Sequence, residues 1–198
     1  MKFKANPRTL IIGGLVLASA VILVRLTFFP TKRIPQDFSE ARIKGAAIAK
    51  HIVDLSNTNI SGLEEIAKYD KNGDVAQALI LISQQLLKNR ANQEEAVRLA
   101  GQLEKMALSL SSVKPAKAQR LATAAVTAEV ALVSRLVNYN DYLKQLFEIL
   151  RSKFDGSVSY SNGRVEELIK KINEEMEVIN DLDRRFNEAL WELDNLDL

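Results

Sequence analysis

Apolar positions along this chain form one unbroken run and four periodic stretches. The unbroken run is Thr9 to Phe29, TLIIGGLVLASAVILVRLTFF, in which thirteen residues are Leu, Ile, Val or Phe. Such residues favour the bilayer by about 0.3 to 0.6 kcal/mol each, so together by roughly 4 to 8 kcal/mol. Arg25 opposes insertion, but it lies four residues from the end, where its stem carries the guanidinium outward. Twenty-one residues at about 1.5 Å each reach roughly 31 Å, close to the hydrocarbon thickness. The run reads as a transmembrane helix over 9–29, ended by Pro30, with Lys32 and Arg33 in the headgroup zone.

The competing reading is a cleaved signal peptide. Lys2, Lys4 and Arg8 make a positive first region, and Ala18-Ser19-Ala20 has the small residues of a cleavage site. Val21 to Val24 keep the run apolar where a mature chain should turn polar, which favours an uncleaved anchor. A short basic tail over 1–8 stays inside and a long C-terminal domain translocates largely regardless of charge, so the expected topology is N-inside, C-outside. The expected location is the plasma membrane, crossed once, with 36–198 extracytoplasmic behind a linker over 30–35.

The four periodic stretches read as long helices. Pro35 can open the first, whose apolar stripe includes Ile43, Ala46, Ile52 and Val53. Ser56-Asn57-Thr58-Asn59 interrupts it, and Ser61 with Glu64 has the form of a capping box, so this rod is expected to break near Asn57. Asp70-Lys71-Asn72-Gly73 is a turn, and Asp74 caps the second helix. That helix keeps a seven-residue phase, with Leu79, Leu86, Ala100 and Ala107 on one track and Val75, Ile82, Ala96, Leu103 and Leu110 on the other. The phase survives the polar stretch Asn89 to Gln93, so one helix to about Ser111 is expected rather than a hairpin broken near Asn92.

After a turn over Ser111 to Pro115, the third helix runs to about Phe154 with a stripe from Leu121 and Ala125 to Leu146 and Leu150. Asp155 to Gly163 is a loop. The last helix has Val165, Ile172, Ile179, Phe186 and Leu193 on one track and Leu168, Leu182, Ala189 and Leu196 on the other. Short connections make neighbours antiparallel, so the expected fold is all-α, an up-down-up-down four-helix bundle behind a single transmembrane helix. In that topology the turn at Lys114, with Lys117 and Arg120, faces the bilayer beside Arg25, Lys32 and Arg33.

Composition narrows the chemistry. The chain has no cysteine, which excludes disulfides, thiolate metal sites and a lipid-modified cysteine anchor, and it has one histidine. Charge is uneven: residues 32–163 carry 18 basic and 14 acidic groups, a net +4, while 164–198 carry 5 and 11, a net −6. The expected meaning is an acidic last helix lying against a basic body. A concentrated basic face with aromatics is missing, so nucleic acid is not an expected partner.

Candidate sites are few. The sequence DKNGD over Asp70 to Asp74 starts like a calcium loop, but Val75 and Leu81 stand where glycine and a bidentate glutamate are needed. His51, Asp54 and Ser56 contain the residue types of a hydrolytic triad but lie on one helix with no nucleophile turn. Asn59-Ile60-Ser61 matches a glycosylation acceptor. Glu129 sits among apolar neighbours and is expected to pair with an Arg or Lys of an adjacent helix, with a ligand or proton site as the other reading. Asn138-Tyr139-Asn140-Asp141-Tyr142 is a polar-aromatic island that makes interhelical hydrogen bonds or lines a small pocket. No catalytic residue, metal or cofactor is expected.

The functional expectation is a membrane-anchored, non-enzymatic helical bundle acting as scaffold, spacer or accessory subunit through a protein partner or self-association. A ligand-sensing bundle that signals through a separate membrane partner is the alternative. An enzyme is disfavoured by the lone histidine and the lack of a Gly-rich phosphate loop.

Overall fold

A computed structural model describes residues 34–156 and 162–196. The predicted transmembrane segment, with Arg25, Lys32 and Arg33, lies outside the described residues. Within them the chain is four long helices: α1 (Gln36–Asn72), α2 (Val75–Ser109), α3 (Ala116–Phe154) and α4 (Asn162–Asp194), with a 3₁₀ turn over Leu110–Ser112.

The α1–α2 corner follows from two residues. Gly73 adopts φ 75°, and its N–H donates to the Asp70 carbonyl while the Asp74 N–H donates to that of Tyr69. This closes the end of α1 by a Schellman arrangement. The Asp74 carboxylate then accepts the Gln77 N–H at 3.2 Å and starts α2.

Contacts between neighbours pair rising with falling residue numbers, which makes them antiparallel. Ser56 meets Asn92, and a Cβ on Gly45 would lie 3.5 Å from Leu99. Leu110 and Gln119, then Asn89 and Asn140, join α2 to α3, and Asn138 with Glu175 joins α3 to α4. Arg42 of α1 reaches Asp194 of α4 with two hydrogen bonds of 2.8 and 2.7 Å. One core runs the length of these helices, from Phe38, Val113 and Leu193 at one end to Ile66, Leu150 and Leu168 at the other.

Three sequence expectations change. α1 is unbroken at Asn57. Thr58 and Ser61 donate their hydroxyls to the carbonyls of Asp54 and Thr58, and no capping box forms. Ser56 and Asn59 point inward and are fully buried, so this polar stretch is core-facing helix. On α2, Ile82, Ala96 and Leu103 are buried as expected, but Val75 is 44% exposed and Ala100 and Ala107 lie at the surface. The second inner row is one residue earlier than its apolar members suggest: Ala78, Gln85, Asn92, Leu99 and Met106. On α4 the first track is buried throughout, whereas the second passes through Leu168, Glu175, Asp183 and Leu190.

Among the described residues, α3 alone is long and apolar enough to cross a membrane by length and composition. Its apolar stripe is part of the shared core, and it carries Glu129 and Asn140 inward. Among the described residues, Glu167, Glu174, Asp181 and Glu188 of α4 pair within that helix, Glu167 with both Arg164 and Lys171. Arg42–Asp194 and Arg135–Glu175 join its acids to α1 and α3.

Candidate functional site

Two polar clusters interrupt the apolar core. The first is neutral and joins α1, α2 and α3. Asn92, fully buried, donates to the Ser56 hydroxyl at 2.9 Å and to the Asn140 side-chain oxygen at 3.1 Å. Asn89 donates to the Asn140 backbone carbonyl at 2.8 Å, and Asn140 donates to that of Leu136 at 2.9 Å. Both asparagines occupy inner heptad positions, where an amide matched to partners fixes register at some expense of stability. Next to them the Gln85 side chain lies against Gly62 of α1. Both polar atoms of Asn59, and the side-chain oxygens of Gln85, Asn89 and Asn92, have no hydrogen-bond partner among the described residues.

The second cluster is acidic. Glu129 is 3% exposed, and its Oε2 has no partner among the described residues. Burial first, and the Asp183 carboxylate second, push its pKa up to about 8. Burial also raises Asp183, which is 9% exposed. Glu129 lines a cavity of about 10 Å³ with Arg42, Leu99, Leu103, Met106 and Phe186. That space holds about one water molecule. The expected ion pair of Glu129 with a neighbouring Arg or Lys is absent among the described residues. The available cation, Arg42, is held by Asp194, so Glu129 is a buried neutral acid near neutral pH rather than half of a salt bridge.

The remaining predicted residues do not gather. Glu129 and Tyr142 are thirteen residues apart on α3, roughly 20 Å along the helix. Asn138 donates to Glu175 at 3.2 Å. Tyr139 is buried with its hydroxyl unpartnered among the described residues, and burial raises its pKa. The half-buried Tyr142 ring takes the Lys171 ammonium at 5.5 Å. His51 is exposed and lies 3.3 Å from Glu95, which also holds Arg98, while Ser56 points into the core, so no triad forms. Asn59 is fully buried inside a helix, which excludes it as a glycosylation acceptor. Asp70 pairs with Lys153 at 2.6 Å, and no group of three His, Cys, Asp or Glu suited to a metal ion occurs among the described residues.

Lys114, Lys117 and Arg120 are exposed and make no ion pair among the described residues. Because α1 and α2 are antiparallel, this turn sits at the same end of the molecule as Gln36. No protein-family model, curated protein or solved structure matches the chain.

Asp183, Glu175, Asn92 and Gln85 were not recognisable as site residues by an apolar pattern. Glu175 alone lies on an apolar track read from the sequence, seven residues after Leu168; Gln85 and Asn92 sit one residue before an expected track, and Asp183 one residue after Leu182.

Proposed function

We propose that this protein is a membrane-tethered, non-enzymatic helical bundle that works through protein contacts as a scaffold, spacer or accessory subunit. In this reading the four rods close in up-down-up-down order on the outer face of a plasma membrane, behind a span over 9–29. The observation that supports it is the placement of the cationic turn. Lys114, Lys117 and Arg120 stand free at the end where α1 begins, the end to which the apolar segment is joined. Each basic residue near an anionic surface contributes about 1 kcal/mol of attraction, so this end is suited to lie on headgroups.

The native chain lacks cysteine, so single thiols report cleanly. The Lys117→Cys and Lys71→Cys full-length variants, labelled with a fluorophore in anionic vesicles, should differ. A lipid-borne quencher should quench position 117 and leave position 71 bright. Equal quenching at both, or release of the chain from membranes by alkaline carbonate, overturns the tethered reading. Crosslinking in the native membrane then identifies the protein partner.

A second reading, a ligand-sensing bundle, draws on Glu129 in its central cavity. Any ligand larger than water must first part the helices. Native mass spectrometry of the purified full chain would show a bound small molecule lost in Glu129→Gln, and the bare chain mass counts against it.

A further inference from the structure

Exposed apolar side chains concentrate on the outer face of α2. Ile80, Leu87, Val97 and Leu108 are 52%, 69%, 71% and 77% exposed, and they lie opposite the inner rows at Gln85, Asn92 and Leu99. Between them lie Arg90 and Glu94, also exposed, which pair with each other at 3.4 Å across one helical turn and would exchange partners on association. The line Leu87, Arg90, Glu94, Val97 has spacings of three, four and three. Read backwards it is apolar, acidic, basic, apolar, which is the complement of itself.

We propose that this face is a self-association surface that pairs with α2 of a second copy in antiparallel register. Leu87 then packs on the partner's Val97 and Val97 on the partner's Leu87. Between these contacts Arg90 faces the partner's Glu94, and Glu94 the partner's Arg90. Charge selects this direction. A parallel in-register pair sets Arg90 against Arg90 and Glu94 against Glu94, and such like-charge contacts disfavour that pairing. Area sets the strength. In this register residues 80 to 104 of the two copies overlap, a strip about 36 Å long and roughly 12 Å wide, so the pair buries about 900 Å² in total, the range of weak, transient interfaces. The association is a weak, reversible dimer. It stands on α2 alone and holds whether or not residues 9–29 cross a membrane.

The test uses the full-length chain in mild detergent, with dimerisation followed by analytical ultracentrifugation. Arg90→Glu and Glu94→Arg each place like charges in both central contacts and should weaken the dimer about tenfold or more. The double variant, and an equimolar mixture of the two single variants, should recover native affinity. Circular dichroism should stay unchanged in all four samples, since both residues are exposed. For direction, Leu87→Cys chains mixed with Val97→Cys chains should oxidise to the mixed disulfide. A native chain that stays monomeric at about 100 μM overturns the proposal. So do single charge variants of native affinity, or disulfides that form only between identical positions.

Discussion

The Gln85 side chain fills the space that a Cβ on Gly62 would need, with Gln85 Cγ 2.8 Å from that point. Both residues are buried, so neither side of the contact can retreat into water. The smallest residue on α1 and an amide on α2 thus determine how closely the two helices approach.

Gly62→Ala should destabilise the protein by about 1–3 kcal/mol, the usual cost of overpacking, although alanine is the better helix former. Gly101→Ala is the control, since nothing lies within 4 Å of its added methyl. It should stabilise α2 by about 0.5–1 kcal/mol. Chemical denaturation of the two variants in the same detergent measures both. If both substitutions stabilise, the contact at Gly62 is not rigid.

Glu129 gives the stability curve a definite slope. Its folded pKa of about 8 exceeds the unsubstituted value of 4.5, so the folded chain binds the proton more tightly than the unfolded chain. Its contribution is present in full below pH 4.5 and drains away as pH rises towards 8, at up to about 1.4 kcal/mol per pH unit. Glu129→Gln keeps the shape and removes the titration. Melting temperatures at pH 5 and pH 8 should fall markedly for the native chain and less for the variant, which should be the more stable at pH 8. Parallel losses in the two proteins would refute the assignment.

Asn92→Ala removes the donor to Ser56 and Asn140 and leaves a small void. The loss should be about 2–4 kcal/mol, combining unpaired partners with the cavity. Asn92→Leu refills the volume and should recover part of that stability. It should also broaden the side-chain NMR resonances of α2 residues if the amides define register.

The Asp70–Lys153 pair ties the far ends of α1 and α3, with both side chains 14% exposed. Asp70→Asn should destabilise by about 1–3 kcal/mol, because the ammonium loses a charge-assisted partner in a partly dry setting. Lys170→Gln, which breaks the open pair with Glu174, should change the denaturation midpoint little. Equal effects would mean that burial does not strengthen the first pair.

Helix number, order and approximate ends were legible in the sequence because Gly73, Asp74 and Pro115 mark the corners and the stripe on α3 is nearly all apolar. What misled was polarity at inner positions. Gln85 and Asn92 hid one row of α2, and the stretch from Ser56 to Asn59 looked like a break, because an apolar pattern carries no sign that an amide will meet another amide across a helix pair. Glu129 was visible as an anomaly. Its lack of a cation was not, because that depends on Asp194 having taken Arg42. The outer stripe on α2 is hidden for the same reason as that row: Ile80, Leu87 and Leu108 stand out only once the inner face is known.

The Ser56–Asn92–Asn140 contacts make the helix pairs behave as a keyed shaft. A sliding stroke of α2 by one heptad would part these amides from their partners, at about 1–3 kcal/mol for each group left unpaired. Lengthwise slippage of one rod past its neighbours is therefore the motion these contacts oppose.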